Sequence, residues 1–304
     1  HPASRRNLRP TRGAREGRRG MKWPAFAYAK ARSLDEAFAL RAKAGEEAKW
    51  IAGGQSLLAG LAFRLSAPSA LIDISDVPEL KGRSAGAAGL RIGALTTHAE
   101  LGRCSLVARG APLLAQAAPL IAHAAIRNRG TLGGNLAYAD PASELPACLV
   151  ALDATLILRS ARGARRAPAA AFFLGLFETA LAPDELIEAV EVAPPAPGAR
   201  ASVMEIARRN GDYAMAGLAA WRGPGEGGES ARLVFFGMGE APVHARRASA
   251  ALVQSGIAAA QAALADDLSP LGDQQASAEM KLHLARVLAA RVARALDGPR
   301  EAAA

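Results

Sequence analysis

The chain has 304 residues, 51% of them hydrophobic and 21% charged; at roughly 100–200 residues per domain this is two or three packed domains, not a disordered or fibrous protein. Its two cysteines, Cys104 and Cys148, exclude a disulfide framework, a four-thiolate zinc site and a chain-held iron–sulfur cluster. The formal net charge is +9, but seven arginines and one glutamate in residues 1–20 make up +6 of it and leave +3 for residues 21–304, so the body of the chain implies no basic nucleic-acid face.

Residues 1–20 are polar and lack the apolar segment of a secretory signal. They read as a disordered extension upstream of a start at Met21, with an arm for RNA or an acidic partner as the alternative. From Met21 the pattern is a short strand, then a helix capped by Ser33 with Glu36 three residues on, a capping box, running to Gly45. A strand over residues 49–52, a helix over 57–65 and a strand over 71–74 complete a first unit, residues 21–80. A second unit, residues 81–197, holds a strand over 90–94 and a helix beginning at Thr97 or His98. It continues with a helix over 113–124 bent by Pro119, a glycine-rich loop, a helix over 143–149 and a strand over 154–159. Pro194-Pro195-Ala196-Pro197-Gly198 is the clearest linker.

Beyond the linker, residues 198–304 predict strands over 201–208, 213–221 and 232–236, the last two joined by a loop over 223–228. Helices follow over 245–255, 257–264 and 276–296, with Met280, Leu284, Val287 and Leu288 as the inward face of the last. No run reaches the roughly 18–20 apolar residues of a membrane span; the longest, residues 147–158, is broken by Asp153. There is no internal repeat. Trp50 and Phe63 read as core, and the two cysteines as small buried or half-buried residues.

Two loops carry chemistry. Ala52-Gly53-Gly54-Gln55-Ser56-Leu57-Leu58 follows a strand and opens a helix, so its backbone N–H groups and the helix start suit a phosphate or pyrophosphate. It is neither a P-loop nor a nucleophile elbow, since no Gly-Lys-Ser/Thr follows and Gly-x-Ser-x-Gly fails at Leu58. Thr131-Leu132-Gly133-Gly134-Asn135 again permits close backbone approach. Each loop alone is equally a tight turn; together they suit a dinucleotide, although the Gly-x-Gly-x-x-Gly of a Rossmann domain is absent. His244 and His283 have no ligand spacing, and no metal site is expected.

The first loop resembles the first FAD loop of the flavin subunit of molybdenum hydroxylases, the xanthine dehydrogenase and carbon monoxide dehydrogenase family. Ile126-Arg127-Asn128-Arg129-Gly130-Thr131-Leu132-Gly133-Gly134-Asn135-Leu136 is similar to its second, and three further strings match in order: residues 94–98, 139–146 and 208–214. The resemblance implies an α+β, two-subdomain FAD-binding fold of the vanillyl-alcohol-oxidase-like type, with a C-terminal antiparallel sheet on a helical bundle. It implies non-covalent FAD along Ile51, Ala52, Gly53, Gly54, Gln55, Ser56, Leu57 and Leu58, and against Thr131, Leu132, Gly133, Gly134 and Asn135. Glu144, where the family usually has Asp, would reach a polar group of the cofactor. Ile121, His123 and Ile187 would lie by the ring system, with Tyr213 over one face. A lysine that some relatives carry before the Arg208-Arg209 pair is missing here.

No general acid or base is required. The implied role is an oxidoreductase subunit: electrons pass from [2Fe–2S] clusters of a small subunit to FAD and on to NAD, a quinone, a cytochrome or O2. Molybdopterin would be held by a large subunit, in a dimer of heterotrimers. The setting implied is the cytoplasm, at most peripheral at the inner membrane face, with no nucleic-acid partner. The rival readings are a self-sufficient flavin oxidoreductase of the same superfamily and a nucleic-acid-binding protein led by residues 1–20. For the glycines, the expectation is that Gly53→Val or Gly133→Val fills space the cofactor needs.

Overall fold

The computed structural model describes residues 23–298 and, in addition, the backbone of a two-residue strand, Arg9–Pro10, paired antiparallel with Ala27–Lys30. The expectation of a disordered extension over residues 1–20 otherwise falls outside the described residues. The first unit is a small sheet in which Ala27–Lys30 and Lys49–Ile51 flank Ala70–Asp73, both parallel to it. Parallel neighbours need crossovers, and the helices Leu34–Ala44 and Leu57–Ala62 supply them. Ser33 caps the first by accepting the Glu36 N–H at 3.1 Å, but the Glu36 carboxylate accepts from the N–H of Arg32, at 2.8 Å, so the expected reciprocal box is not formed. The second helix is three residues shorter than expected, because Arg64 turns the chain back at φ +57 and Phe63 is left 69% exposed instead of in the core.

The second unit is a five-stranded antiparallel sheet, in the order Arg83–Gly86, Gly89–Gly93, Leu186–Val192, Thr155–Ser160 and Gly163–Pro168. Its central strand escapes a sequence reading because Glu188 and Glu191 break the apolar run. Both lie in a charge ladder on the sheet: Glu188 accepts from Arg91 and Arg159, each at 2.6 Å, and Glu191 from Arg91 at 2.8 Å and Arg166 at 2.6 Å. Leu90, Leu156, Leu158, Val190 and Val192 pack in the core with Leu113, Leu114, Leu145 and Leu149 of the helices. Pro119 ends a helix instead of bending it: Pro112–Ala117 stops there, and helical backbone resumes only at Ala124–Arg127, as the missing N–H and ring clash of an interior proline dictate.

The third unit is the antiparallel sheet Arg200–Ile206, Ala216–Gly225, Gly228–Phe236 and Val243–His244 with the helices Arg246–Ser255, Ile257–Asp267 and Ala278–Asp297. The hairpin strands pair through Gly223 and Pro224 to Gly225 and Gly228, so its turn is shorter than the expected loop. Tyr213 precedes the strand it was expected to begin. On the last helix the buried face carries Lys281, Ala285, Leu288, Val292 and Leu296, while Met280 is 49% exposed, correcting the expected inward position. Alternate residues of this sheet serve two cores: Leu218, Leu233 and Phe235 pack with the helices, whereas Val203, Ala219, Val234 and Phe236 belong to the core of the second unit.

Gly217 marks how closely that sheet is filled. It pairs with Phe236 across the ladder, and a Cβ on Gly217 would overlap the Phe236 ring. Gly217→Ala should therefore destabilise the chain by about 1–3 kcal/mol through overpacking, measured by urea unfolding, and Phe236→Leu in the same chain should recover part of the loss. A wild-type midpoint for Gly217→Ala would contradict this packing.

Candidate cofactor-binding site

One cavity of about 740 Å³ lies where the three units meet, within the range of roughly 300–1,000 Å³ typical of cofactor and ligand sites. Its walls include Ile51, Ala52, Gly53, Gly54, Gln55, Ser56 and Leu57 from the first unit, and Ile121, His123, Thr131, Gly133, Gly134, Asn135, Glu144 and Ile187 from the second. Tyr213 comes from the loop between the first two strands of the third unit's sheet. Two nominated residues are not there. Leu58 packs with Phe26, Leu61 and Leu71, and Leu132 is fully buried in the second core. The exposed pair Arg208 and Arg209 also stays off the cavity wall.

The first loop is shaped to receive an anion. Gly54 takes φ +72, and its carbonyl accepts the N–H of Leu58 at 3.1 Å while Gln55 Nε2 donates to the Gly53 carbonyl at 3.0 Å. The backbone N–H groups of Gly53, Gly54, Gln55 and Ser56 donate to no acceptor among the described residues, which leaves four consecutive donors at the cavity. Among the described lining residues Lys49, which is exposed, is the one lysine or arginine. Any phosphate held here is held chiefly by backbone.

The second loop works differently from the expected cradle. It is half helix: Thr131 caps Leu132–Tyr138 and accepts the Gly134 N–H at 3.1 Å. The N–H of Leu132 goes to Thr96 O and that of Gly133 to Ala94 O, both at 2.8 Å, and the His98 N–H goes to Gly130 O at 3.0 Å. Its backbone donors are thus used in stitching the loop to residues 94–98. What it offers the cavity is the Asn135 side chain, whose Oδ1 accepts from Ser143 Oγ at 2.9 Å, so that its amide N–H groups point to no partner among the described residues.

The glycines also have a different reason from the one expected. A Cβ on Gly53 would overlap the carbonyl oxygen of Arg129, and one on Gly133 would stand 2.6 Å from the Ala94 Cβ. Both serve contacts within the protein, the first holding the two loops together. A third contact fixes the rim: Gly211, at φ +86, fits under the Ala122 carbonyl, 2.6 Å from where its Cβ would be. Arg127 donates to the carbonyls of Ile121 and Ala122 at 2.9 and 2.7 Å and holds that turn.

The polar wall is acidic and partly neutral. Burial pushes the Glu144 carboxyl up to about 8, with smaller contributions from Glu205 and Asp140. Burial likewise raises Asp140, with the neighbouring Tyr213 hydroxyl pulling the other way, and raises the Tyr213 phenol itself. His98, expected as a helix-start residue, is that and also lines the cavity. Burial, aided by Arg127, holds its imidazole down at about 4, and its buried Nδ1 has no partner among the described residues. Sequence reasoning gave no role to Tyr138, Asp140, Ser143, Gly211 and Gln275, all on the wall. Asp140 and Ser143 stood in a matched string; Gln275, in a polar loop without period or motif, left no signal.

Because Gly53 and Gly133 contact protein, Gly53→Ala and Gly133→Ala should lower the stability of the cofactor-free chain, by about 1–3 kcal/mol each. Thermal unfolding without added flavin checks this. Unchanged melting with loss of flavin alone would restore the idea that these glycines make room for the cofactor.

Comparison with known proteins agrees with this architecture. Residues 24–195 match the model of the FAD binding domain in molybdopterin dehydrogenase, and residues 201–296 that of the CO dehydrogenase flavoprotein C-terminal domain. The 6-hydroxypseudooxynicotine dehydrogenase complex subunit alpha of Paenarthrobacter nicotinovorans is 40% identical over 288 residues, 92% of this chain and 97% of that one. Among solved structures, carbon monoxide dehydrogenase from Hydrogenophaga pseudoflava superposes with a TM-score of 0.86 at 34% identity, covering 90% of this chain and 98% of that chain. Quinoline 2-oxidoreductase from Pseudomonas putida 86 does so with a TM-score of 0.85 at 38% identity, covering 91% and 99%. The chain belongs to the family of FAD-binding medium subunits of the molybdenum hydroxylases, oxidoreductases of the carbon monoxide and xanthine dehydrogenase type.

Proposed function

We propose that this chain binds FAD non-covalently in the 740 Å³ cavity and serves as the electron-transfer subunit of a molybdopterin/[2Fe–2S]/FAD hydroxylase. The observation that carries the reading is the run of four unpartnered backbone N–H groups at Gly53, Gly54, Gln55 and Ser56. A diphosphate satisfies such donors without a lysine or arginine, and the cavity wall provides almost none. The unpaired amide of Asn135, the buried Nδ1 of His98 and the apolar surfaces of Ile121, Ile187 and Tyr213 fit the rest of the same group. The donor set, the volume and the apolar lining are all those of a flavin dinucleotide site.

Bound FAD supplies one- and two-electron redox chemistry, which lets it join single-electron carriers to a two-electron acceptor. The chain's own part is binding and orientation. Residues 51–57 hold the phosphates, Asn135 and Glu144 present polar groups, and Tyr213, 64% exposed, lines the cavity mouth near Asp140. Among the described residues no three His, Cys, Asp or Glu side chains are grouped to hold a metal ion. Molybdopterin and the [2Fe–2S] clusters belong, in this reading, to a large and a small subunit in a dimer of heterotrimers, with NAD, a quinone, a cytochrome or O2 as final acceptor. Relatives named for carbon monoxide, caffeine and nicotine fit a design in which the substrate pocket lies on the large subunit. No helix among the described residues is long and apolar enough to cross a membrane, and a cytoplasmic setting, peripheral at most, goes with this reading.

Purified chain mixed with FAD and passed through a desalting column should emerge yellow with about one FAD per chain, released intact by acid. A chain that stays colourless after saturating FAD at both pH 6 and pH 8 would refute the reading.

A further inference from the structure

Glu144 opens the helix Glu144–Ala151 and lines the cavity, yet it is only 8% exposed. It makes no ion pair among the described residues, and the charged groups that act on it, Glu205 and Asp140, are themselves acidic. Glu205, on the strand Arg200–Ile206 of the third unit, has a buried Oε2 with no partner among the described residues. The other titratable groups beside Glu144 are the Tyr213 hydroxyl and the Cys148 thiol, both raised by burial. Of the elements packed against this helix, Leu132–Tyr138 carries Tyr138, while Pro112–Ala117 and Ala169–Phe172 carry no titratable side chain.

The neighbouring strands hold their cations elsewhere. Arg222 pairs with Glu229 and Asp297, and Arg232 donates to the Ala151 carbonyl at the far end of the helix, near His244. Among the described residues nothing positive therefore faces Glu144. An unpaired carboxylate in such a place is costly and takes up a proton instead. The helix start and the residue's own N–H favour the ionised form, but burial outweighs them.

We propose that Glu144 binds FAD as the neutral acid, donating its O–H to an acceptor atom of the cofactor, and that the half-buried Glu205, with its unpartnered Oε2, is the nearby carboxyl that helps retain this proton. The inference rests on the cavity being the FAD site. Glu144 is then a cofactor-binding residue and Glu205 a positioning residue acting through it. Ionising Glu144 removes a donor and sets a negative charge against electron-rich oxygens, so the affinity for FAD depends on pH.

The test is titration of the full chain with FAD, followed by flavin fluorescence from pH 5.5 to pH 9. The wild-type Kd should be level at the acid end and climb by up to about tenfold per pH unit beyond about 8. Glu144→Gln, which keeps a neutral donor, should bind within about threefold of wild type at pH 6 and show no climb. Glu205→Gln, by removing a like charge, should move the climb to lower pH. Should the variants fail to fold, calorimetric titration of wild type at pH 8.5 in two buffers of different ionisation enthalpy decides the matter: proton uptake on binding is expected. A flat wild-type profile, a wild-type climb in Glu144→Gln, or no proton uptake overturns the inference. Absence of FAD binding at every pH overturns the cofactor reading as well.

Discussion

The site depends on the contact between Gly53 and the backbone at Arg129 and Gly130. It brings two loops, some 80 residues apart in sequence, to van der Waals distance, and it requires a residue without a side chain. With that contact made, the donors of residues 53–56 face the cavity, and the stitched loop that follows Gly130 presents Asn135 beside them. Gly211 under the Ala122 carbonyl closes the third side in the same manner. Two close backbone approaches thus hold the walls of the cavity together.

The electrostatics of the cavity follow from this construction. Backbone N–H groups offer partial positive charge in a fixed direction and need no counter-ion, so the wall can do without arginines. The arginines are instead placed on the outer sheet, where Arg91, Arg159 and Arg166 alternate with Glu188 and Glu191. At the cavity Asp140 and Glu144 have no cation beside them among the described residues, and burial raises both, as it raises the nearby Glu205.

Much of this was legible in the sequence, and the boundary is physical. The strand, glycine loop and helix of the first unit follow from local pattern, and sixteen of the eighteen residues nominated for the cofactor line one cavity. Leu58 and Leu132 were misplaced because a motif records which residues recur, not which of them point to the cofactor and which to the core. The central strand Leu186–Val192 was missed because its glutamates are matched by arginines remote in sequence. Pro119 and Arg64 ended helices earlier than apolar periodicity suggested. The contact of Gly53 with the Arg129 carbonyl was not legible because it is set by tertiary packing alone.

The sheet of the third unit, with Val203, Ala219, Val234 and Phe236 in one core and Leu218, Leu233 and Phe235 in another, bears on how the chain matures. During synthesis the flavin half leaves the ribosome first, yet its core has an open face until the strand ending at Phe236 has been made. Two of the helices behind the sheet follow, and Gln275, on the cavity wall, comes after them and just before the last, Ala278–Asp297. Cofactor capture is therefore a late event in the life of the polypeptide. A nascent chain halted near the interdomain linker would show an apolar surface to chaperones before it showed a finished pocket to flavin.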